Sequence, residues 1–277
     1  MNYKTLLVHV DTTPAAPARI RLALGLARAA GAHVVGAAVT GVSHFVTSGM
    51  LAAGDSRLAG HCAALRRDAE DAVRRFEDAV RADGPASFES RVVDDDVDGG
   101  LAVQARYADL VLVGRTDPAA PAPDGRSDLP DYLLFAGGRP VLIVPHAPGP
   151  WRADGEALVA WDGSVPATRA VAAALPLLRA ARGTTVVGFG DDADDTAGGD
   201  PCARLAAWLG RHGVAARASH RAATDDVGDT LLSAAADMDA GLLVMGAYGH
   251  GRLRERCLGG ASRTVLAGAP IPVLMAH

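Results

Sequence analysis

The sequence predicts an α/β protein made of two tandem, doubly wound domains, each with a five-stranded parallel sheet. Two observations carry this reading. The chain repeats itself, with an apolar run ending in Asp11 matched by one ending in Asp162, Ala108–Gly114 matched by Ala240–Gly246, and Arg139–Val144 matched by Ile271–Ala276. Within each repeat, near-continuous apolar strands alternate with segments of helical apolar spacing, the pattern of a parallel sheet covered on both faces.

The strands are expected at 4–10, 33–39, 88–93, 109–113 and 141–144 in the first half. In the second half they are expected at 157–161, 184–189, 214–219, 242–245 and 272–276. Helical spacing is clearest over 18–30, 61–83 and 227–236. Asp162 follows Asp11 by 151 residues, whereas Gly246 follows Gly114 by 132, so the first half carries 19 extra residues. Most of them fall in the polar segment 41–60. The Pro- and Gly-rich stretch 145–153 divides a domain at 1–147 from one at 154–277. Right-handed crossovers then place the ligand crevice beyond the strand C-termini, where Asp162 and Gly246 both stand.

Composition narrows the function classes. Of 277 residues, 49% are hydrophobic and 21% charged, which is globular rather than disordered. A net charge of −5 leaves no electrostatic footprint for nucleic acid or an anionic membrane. Cys62, Cys202 and Cys257 are widely spaced and form no CxxC pair, against a disulfide framework or structural zinc. No apolar run nears the ~18 residues of a membrane span, and the first residues are too short a run for a signal peptide. A soluble, cytoplasmic protein is expected.

The most informative segment is 246–262. It follows the apolar run Leu242, Leu243, Val244, Met245 and leads into a helix opening near Arg263. A strand, a glycine-rich loop and a helix N-terminus can cradle an anion, because glycines admit close backbone approach and the first-turn N–H groups point outward. Lys4 is the only lysine, so this is not a Walker-type loop. The same glycines could instead end a strand and turn into a helix, with no ligand at all.

Over both halves the chain resembles the universal stress protein family. Nucleotide-binding members carry glycine, two residues, glycine, nine residues, glycine, then Ser or Thr. Here Gly246, Gly249 and Gly259 match that spacing, while Gly260 stands at the final position and Ser262 lies two residues on. The resemblance implies that Asp162 contacts adenine, Ala160 lies beneath the base and Phe189 beside the nucleoside. It implies that Met245 and Gly246 approach the ribose and phosphates, and that Gly249, Gly259, Gly260 and Ala261 offer backbone N–H groups. Ser262 would supply the missing hydroxyl, and Arg252 or Arg254 phosphate neutralisation. ATP, with Mg2+, is the implied cofactor. In the first half only Gly114 survives: Asp117, Ser127 and Asp128 replace the other motif positions, and no ATP is expected there.

Other chemistry is poorly signalled. Asp11 and Asp162 could cap the following turn, a reading favoured for Asp11 and compatible with base contact for Asp162. Cys257 beside Arg256 could be a redox thiol but is more simply structural. His9, His33, His44 and His250 have no metal-ligand spacing, and the acidic stretch 191–200 lacks calcium-loop order. No catalytic residue or GxSxG elbow is found, so at most slow ATP hydrolysis is expected. The short apolar strands at 141–144 and 273–275 suit antiparallel pairing, implying an intramolecular pseudo-dimer of the halves and a homodimer as a further option. Two functions follow: a stress-responsive ATP-binding regulator, or a nucleotide-free module that works through its surfaces with an unknown protein partner.

Overall fold

A computed structural model describes residues 2–43, 49, 56–85, 87–115, 129–146, 152, 154–189, 199–222, 226–249 and 260–277. The chain divides into two compact units, Asn2–Val141 and Leu142–His277. The first unit holds β1 (Thr5–His9), α1 (Ala16–Ala30), β2 (His33–Val39), α2 (Ser56–Asp83), β3 (Phe88–Val93), α3 (Val97–Ala105), β4 (Leu110–Gly114) and α4 (Leu129–Ala136). The division falls at the start of β5 (Val141–Val144). The second unit holds β6 (Glu156–Ala160), α5 (Val165–Ala180), β7 (Gly183–Phe189), α6 (Pro201–Arg211) and β8 (Ala216–Arg221). It continues through α7 (Val227–Asp237), β9 (Ala240–Gly246), α8 (Gly260–Gly268) and β10 (Val273–Ala276).

In the first unit the strand order is β3-β2-β1-β4, and in the second β8-β7-β6-β9-β10. The pairings of β1 with β2 and β4, and of β2 with β3, are parallel. So are those of β6 with β7 and β9, of β7 with β8, and of β9 with β10. The opening strand of each unit therefore lies between its second and fourth strands. That order reversal is the switch point where a doubly wound sheet leaves a crevice at its carboxyl ends.

The central strands bury their residues on both faces, as apolar parallel strands must: Leu6, Val8, Leu110, Leu112, Leu158, Val159, Leu243 and Val244 are all fully covered. Side chains at the crevice end close several helix starts. Asp96, Ser164, Asp200 and Asp226 each accept a first-turn backbone N–H, of α3, α5, α6 and α7 respectively.

Some boundaries differ from expectation. The third strand of the second unit begins at Ala216, not 214. Gly213 takes a left-handed turn (φ 78°), and the Val214 N–H bonds back to Leu209 O at 3.1 Å, so these residues close α6. Helix α2 begins at Ser56 rather than 61, and α8 at Gly260 rather than near Arg263. The last shift puts Gly260, Ala261 and Ser262 in the first turn of a helix.

Candidate functional site

At the carboxyl end of β6 the chain makes a tight turn through Asp162, Gly163 and Ser164. Asp162 Oδ1 accepts the Ser164 N–H at 2.9 Å, and Gly163 supplies the positive φ (71°) that the turn needs. Ser164 Oγ then accepts the Ala167 N–H at 3.2 Å, capping α5. The turn itself thus explains why an Asp ends this strand. The outer oxygen, Asp162 Oδ2, faces Gly249.

That contact is close. A Cβ built on Gly249 would lie 2.8 Å from Ser164 Oγ and 3.1 Å from Asp162 Oδ2. Glycine lets the loop after β9 seat its backbone against the β6–α5 turn, and any side chain would fill the cradle. Gly246 is tighter still: its Cβ would meet Ala167 N at 2.5 Å and Pro166 C at 2.9 Å, both backbone atoms. The end of β9 therefore packs directly on the N-terminus of α5.

The loop stem is pinned from the other side. Tyr248 adopts a left-handed backbone (φ 53°), which costs a residue with a Cβ on the order of 1–2 kcal/mol. Its N–H donates to Oγ of the buried Ser262 at 3.3 Å. Ala247 N donates to Ala276 O at 2.9 Å, and a His277 ring nitrogen contacts Ala247 O at 3.0 Å. Non-glycine residues held at positive φ concentrate at functional loops.

Asp162, Gly246 and Gly249 are thus brought together with the start of α5, while Ser262 is tied to the stem of the same loop. Gly260 and Ala261 lie in the first turn of α8, where backbone N–H groups have no intrahelical partner. Ala160 and Phe189 sit half-buried at the carboxyl ends of the adjacent strands β6 and β7, and Met245 is buried near the end of β9. Arg252, Arg254, Cys257 and Gly259 lie outside the described residues, as do Asp117, Ser127 and Asp128 of the first half.

The matching turn in the first unit is built differently. Asp11 Oδ1 again accepts the N–H two residues on, from Thr13 at 2.9 Å. Asp11 Oδ2, however, is taken by Arg19 Nη2 at 2.8 Å, and Arg19 Nε donates to His9 O at 2.7 Å. The Arg19 side chain is only 3% exposed, and its Nη1 occupies the space over Gly114. At Gly246 that neighbour was the backbone of α5; here a guanidinium stands there. Helix α1 has no side-chain cap, in contrast to α5.

The charges respond to this wedge. Burial pushes the Asp11 carboxyl up, but the Arg19 cation, His9 and the Thr13 hydrogen bonds outweigh it and hold the group down at about 2. Burial, reinforced by Arg19, pushes His9 down to about 4 against the opposing pull of Asp11. His9 is therefore neutral at pH 7.

Arg19 is the residue that reading the sequence missed. Its signal was present: with the aspartates aligned, Arg19 falls at the place of Ala170, which is fully buried. An arginine on the packed face of a helix needs a buried partner.

Residues 156–277 match the model of the universal stress protein family. Among solved structures, a universal stress protein from Archaeoglobus fulgidus is 17% identical, with 98% of this chain and 95% of that chain covered at a TM-score of 0.74. A functionally unknown protein from Pseudomonas aeruginosa PAO1 is 18% identical, with 98% and 92% covered at a TM-score of 0.62. Likenesses at this identity show a shared fold. No curated protein matches the sequence. Among the described residues no helix is long and apolar enough to cross a membrane. The alternating α/β order, the five parallel strands of the second unit and the family match agree, and residues 156–277 of this chain form a domain of the universal stress protein family.

Proposed function

We propose that this chain is a stress-response regulatory protein whose second unit holds ATP with Mg2+, while its first unit holds none. One observation carries the reading: the bare backbone of Gly249 lies against Asp162 and Ser164, in a cradle that a single Cβ would fill. The residues fit an adenine nucleotide. Asp162, Ala160 and Phe189 would hold the base and nucleoside. Met245 and Gly246 would border the ribose, and Gly249, Gly259, Gly260, Ala261 and Ser262 would face the phosphates, with Arg252 offsetting their charge.

Magnitudes require these groups to act together. One helix N-terminus stabilises an adjacent anion by about 0.3–1 kcal/mol, rising to ~2 when partly buried. Micromolar affinity needs about 8 kcal/mol. The first unit lacks the free Asp oxygen and the open space over its strand-end glycine, because Arg19 takes both. The proposed role is that of a switch, with at most slow hydrolysis.

The test is to denature the purified protein and identify released nucleotide by mass spectrometry. One adenine nucleotide per chain is expected, lost in Gly249→Val and retained in Arg19→Met. Equal ATP-analogue binding by wild type and Gly249→Val would falsify the assignment. Gly260, standing where a hydroxyl is expected, favours the second reading, a nucleotide-free interaction module; a chain that releases none and binds no analogue supports that reading. Pairing of the two halves through their last strands remains a proposal from the apolar sequences 141–144 and 273–275, tested by whether Leu142→Pro or Leu274→Pro lowers stability.

A further inference from the structure

The second unit carries a cluster of metal-ligating groups outside the candidate nucleotide site. Asp200, Cys202 and His220 each present a ligand atom, and the three atoms lie within 4.8 Å of one another. We propose that Asp200, Cys202 and His220 form a binding site for a zinc-type divalent cation, with its fourth position open to solvent.

The donor set is the first argument. A carboxylate, a thiol and an imidazole are the three side chains that bind Zn2+, whereas Mg2+ and Ca2+ take oxygen alone. Bound to Zn2+ at about 2.0–2.3 Å, tetrahedral ligand atoms stand roughly 3.5 Å apart. The observed spacing brackets that value, with His220 Nε2 and Asp200 Oδ1 at 3.0 Å and all three atoms within 4.8 Å. The two anionic ligands balance the ion's charge once the thiol proton has passed to water on binding.

The second argument is how the fold holds these groups. Asp200 caps α6, with Oδ1 accepting the Cys202 N–H at 2.9 Å, and the same oxygen lies 3.0 Å from His220 Nε2. His220 stands on the edge strand β8, in register with Gly188 on β7. A Cβ on Gly188 would lie 2.7 Å from Cys202 Sγ and 3.5 Å from His220 Nδ1. Glycine therefore leaves the space in which thiol and imidazole converge. The thiol is buried, while the His220 and Asp200 side chains are 35% and 29% exposed, which gives an ion a path from the sheet edge.

The first unit supplies an internal comparison. Gly36 on β2 pairs in register with Ser90, and the space a Cβ would need is filled by the Phe76 ring at 2.5 Å. There the glycine admits an apolar plug. In the second unit the same position on the second strand admits a sulfur and an imidazole instead. Spacing along the sequence could not reveal this, because His220 reaches the other two ligands only through the pairing of β7 with β8.

The experiment titrates Co2+, without nucleotide, into the full-length reduced chain and follows the visible bands and the near-ultraviolet thiolate-to-cobalt charge-transfer band. One equivalent is expected to bind, with the charge-transfer band present, and Zn2+ is expected to bleach it. A chain carrying Cys62→Ser and Cys257→Ser should keep the band, and Cys202→Ser should abolish it. His220→Gln, on the edge strand, and Gly188→Ala should weaken binding by about a hundredfold, the upper end of what losing even an outer-shell partner costs. No charge-transfer band in the wild type, a band that survives Cys202→Ser, or unchanged affinity in His220→Gln overturns the proposal.

Discussion

Replacing Arg19 by Met removes the guanidinium that separates α1 from the end of β4 while keeping an unbranched chain of similar length. Two losses follow. The Asp11 carboxylate, a quarter exposed, loses the cation that holds it down, and His9 O loses the bond from Nε. Against burial, Arg19 is the largest of the influences, with His9 and the Thr13 hydrogen bonds, that lower this carboxyl from 3.8 to about 2, a net shift worth about 2 kcal/mol at neutral pH, at 1.36 kcal/mol per pH unit. The unmade hydrogen bond adds about 1 kcal/mol. The variant should therefore be destabilised by about 2–3 kcal/mol, or a thirtyfold or larger loss of amide protection in β1.

The pH dependence identifies the cause. A depressed carboxyl contributes its full stability above its unfolded value of 3.8, and loses it as pH falls toward the folded value of about 2. The gap between wild type and Arg19→Met should thus be widest at neutral pH and narrow through that acid window. Hydrogen exchange of the buried amides of Leu6 to Val8 reads the first, and urea denaturation followed by far-ultraviolet circular dichroism at several pH values reads the second. Arg21→Met, an exposed change on the same helix, is the control. A folded Arg19→Met chain whose β1 protection falls less than about threefold would refute the reasoning, as would a gap that does not change with pH.

Other consequences can be measured alongside. His9, held neutral with a folded value of about 4 against 6.5 unfolded, should cost stability as pH falls below 6.5, reaching about 3 kcal/mol near pH 4; a His9→Gln chain should show a shallower slope over that window in urea titrations. Ser164→Ala removes the α5 cap and should cost about 1 kcal/mol, read as a lower urea midpoint at unchanged m-value. Gly246→Ala drives a Cβ into the backbone of Pro166 and Ala167 and should destabilise by more than a typical surface change, about 1–3 kcal/mol. Gly114→Ala meets only a side chain at the equivalent place and should cost less; the two midpoints check the order.

Much of the fold was legible because its signals are local and repeated. Apolar runs bounded by turn residues mark the central strands, and duplication shows each element twice. What was not legible depends on contacts across strands. The β8 boundary slipped because Ala-Arg-Ala-Ser-His-Arg has little apolar alternation, and the helix-closing turn at Gly213 and Val214 looked like its start. For the site, the glycine spacing singled out Gly246 and Gly249, but not what each one touches. Gly246 meets helix backbone, whereas Gly249 meets the side chains of Ser164 and Asp162. Asp200, which the sequence showed only as the end of an acidic stretch without calcium-loop order, proves to be a helix cap.

The two aspartates show how a duplicated turn can keep its local role while its outward chemistry diverges. Asp11 and Asp162 make the same bond to the N–H two residues on, so the turn alone can retain the Asp in both halves. What separates them is the outer oxygen. In the second unit it faces the bare backbone of Gly249; in the first it is neutralised by an arginine one helical turn inside α1. Breaking the Arg19–Asp11 pair is costly, yet Ala170 at the matching site, beside an Asp162 that makes the same turn bond, shows that the turn itself does not require an arginine. What Arg19 does is fill the space over Gly114 with a group already satisfied by Asp11 and His9. Under the proposed function, building a nucleotide site in the first unit would therefore require removing Arg19 as well as introducing the glycine loop, and neither change alone should yield nucleotide binding there.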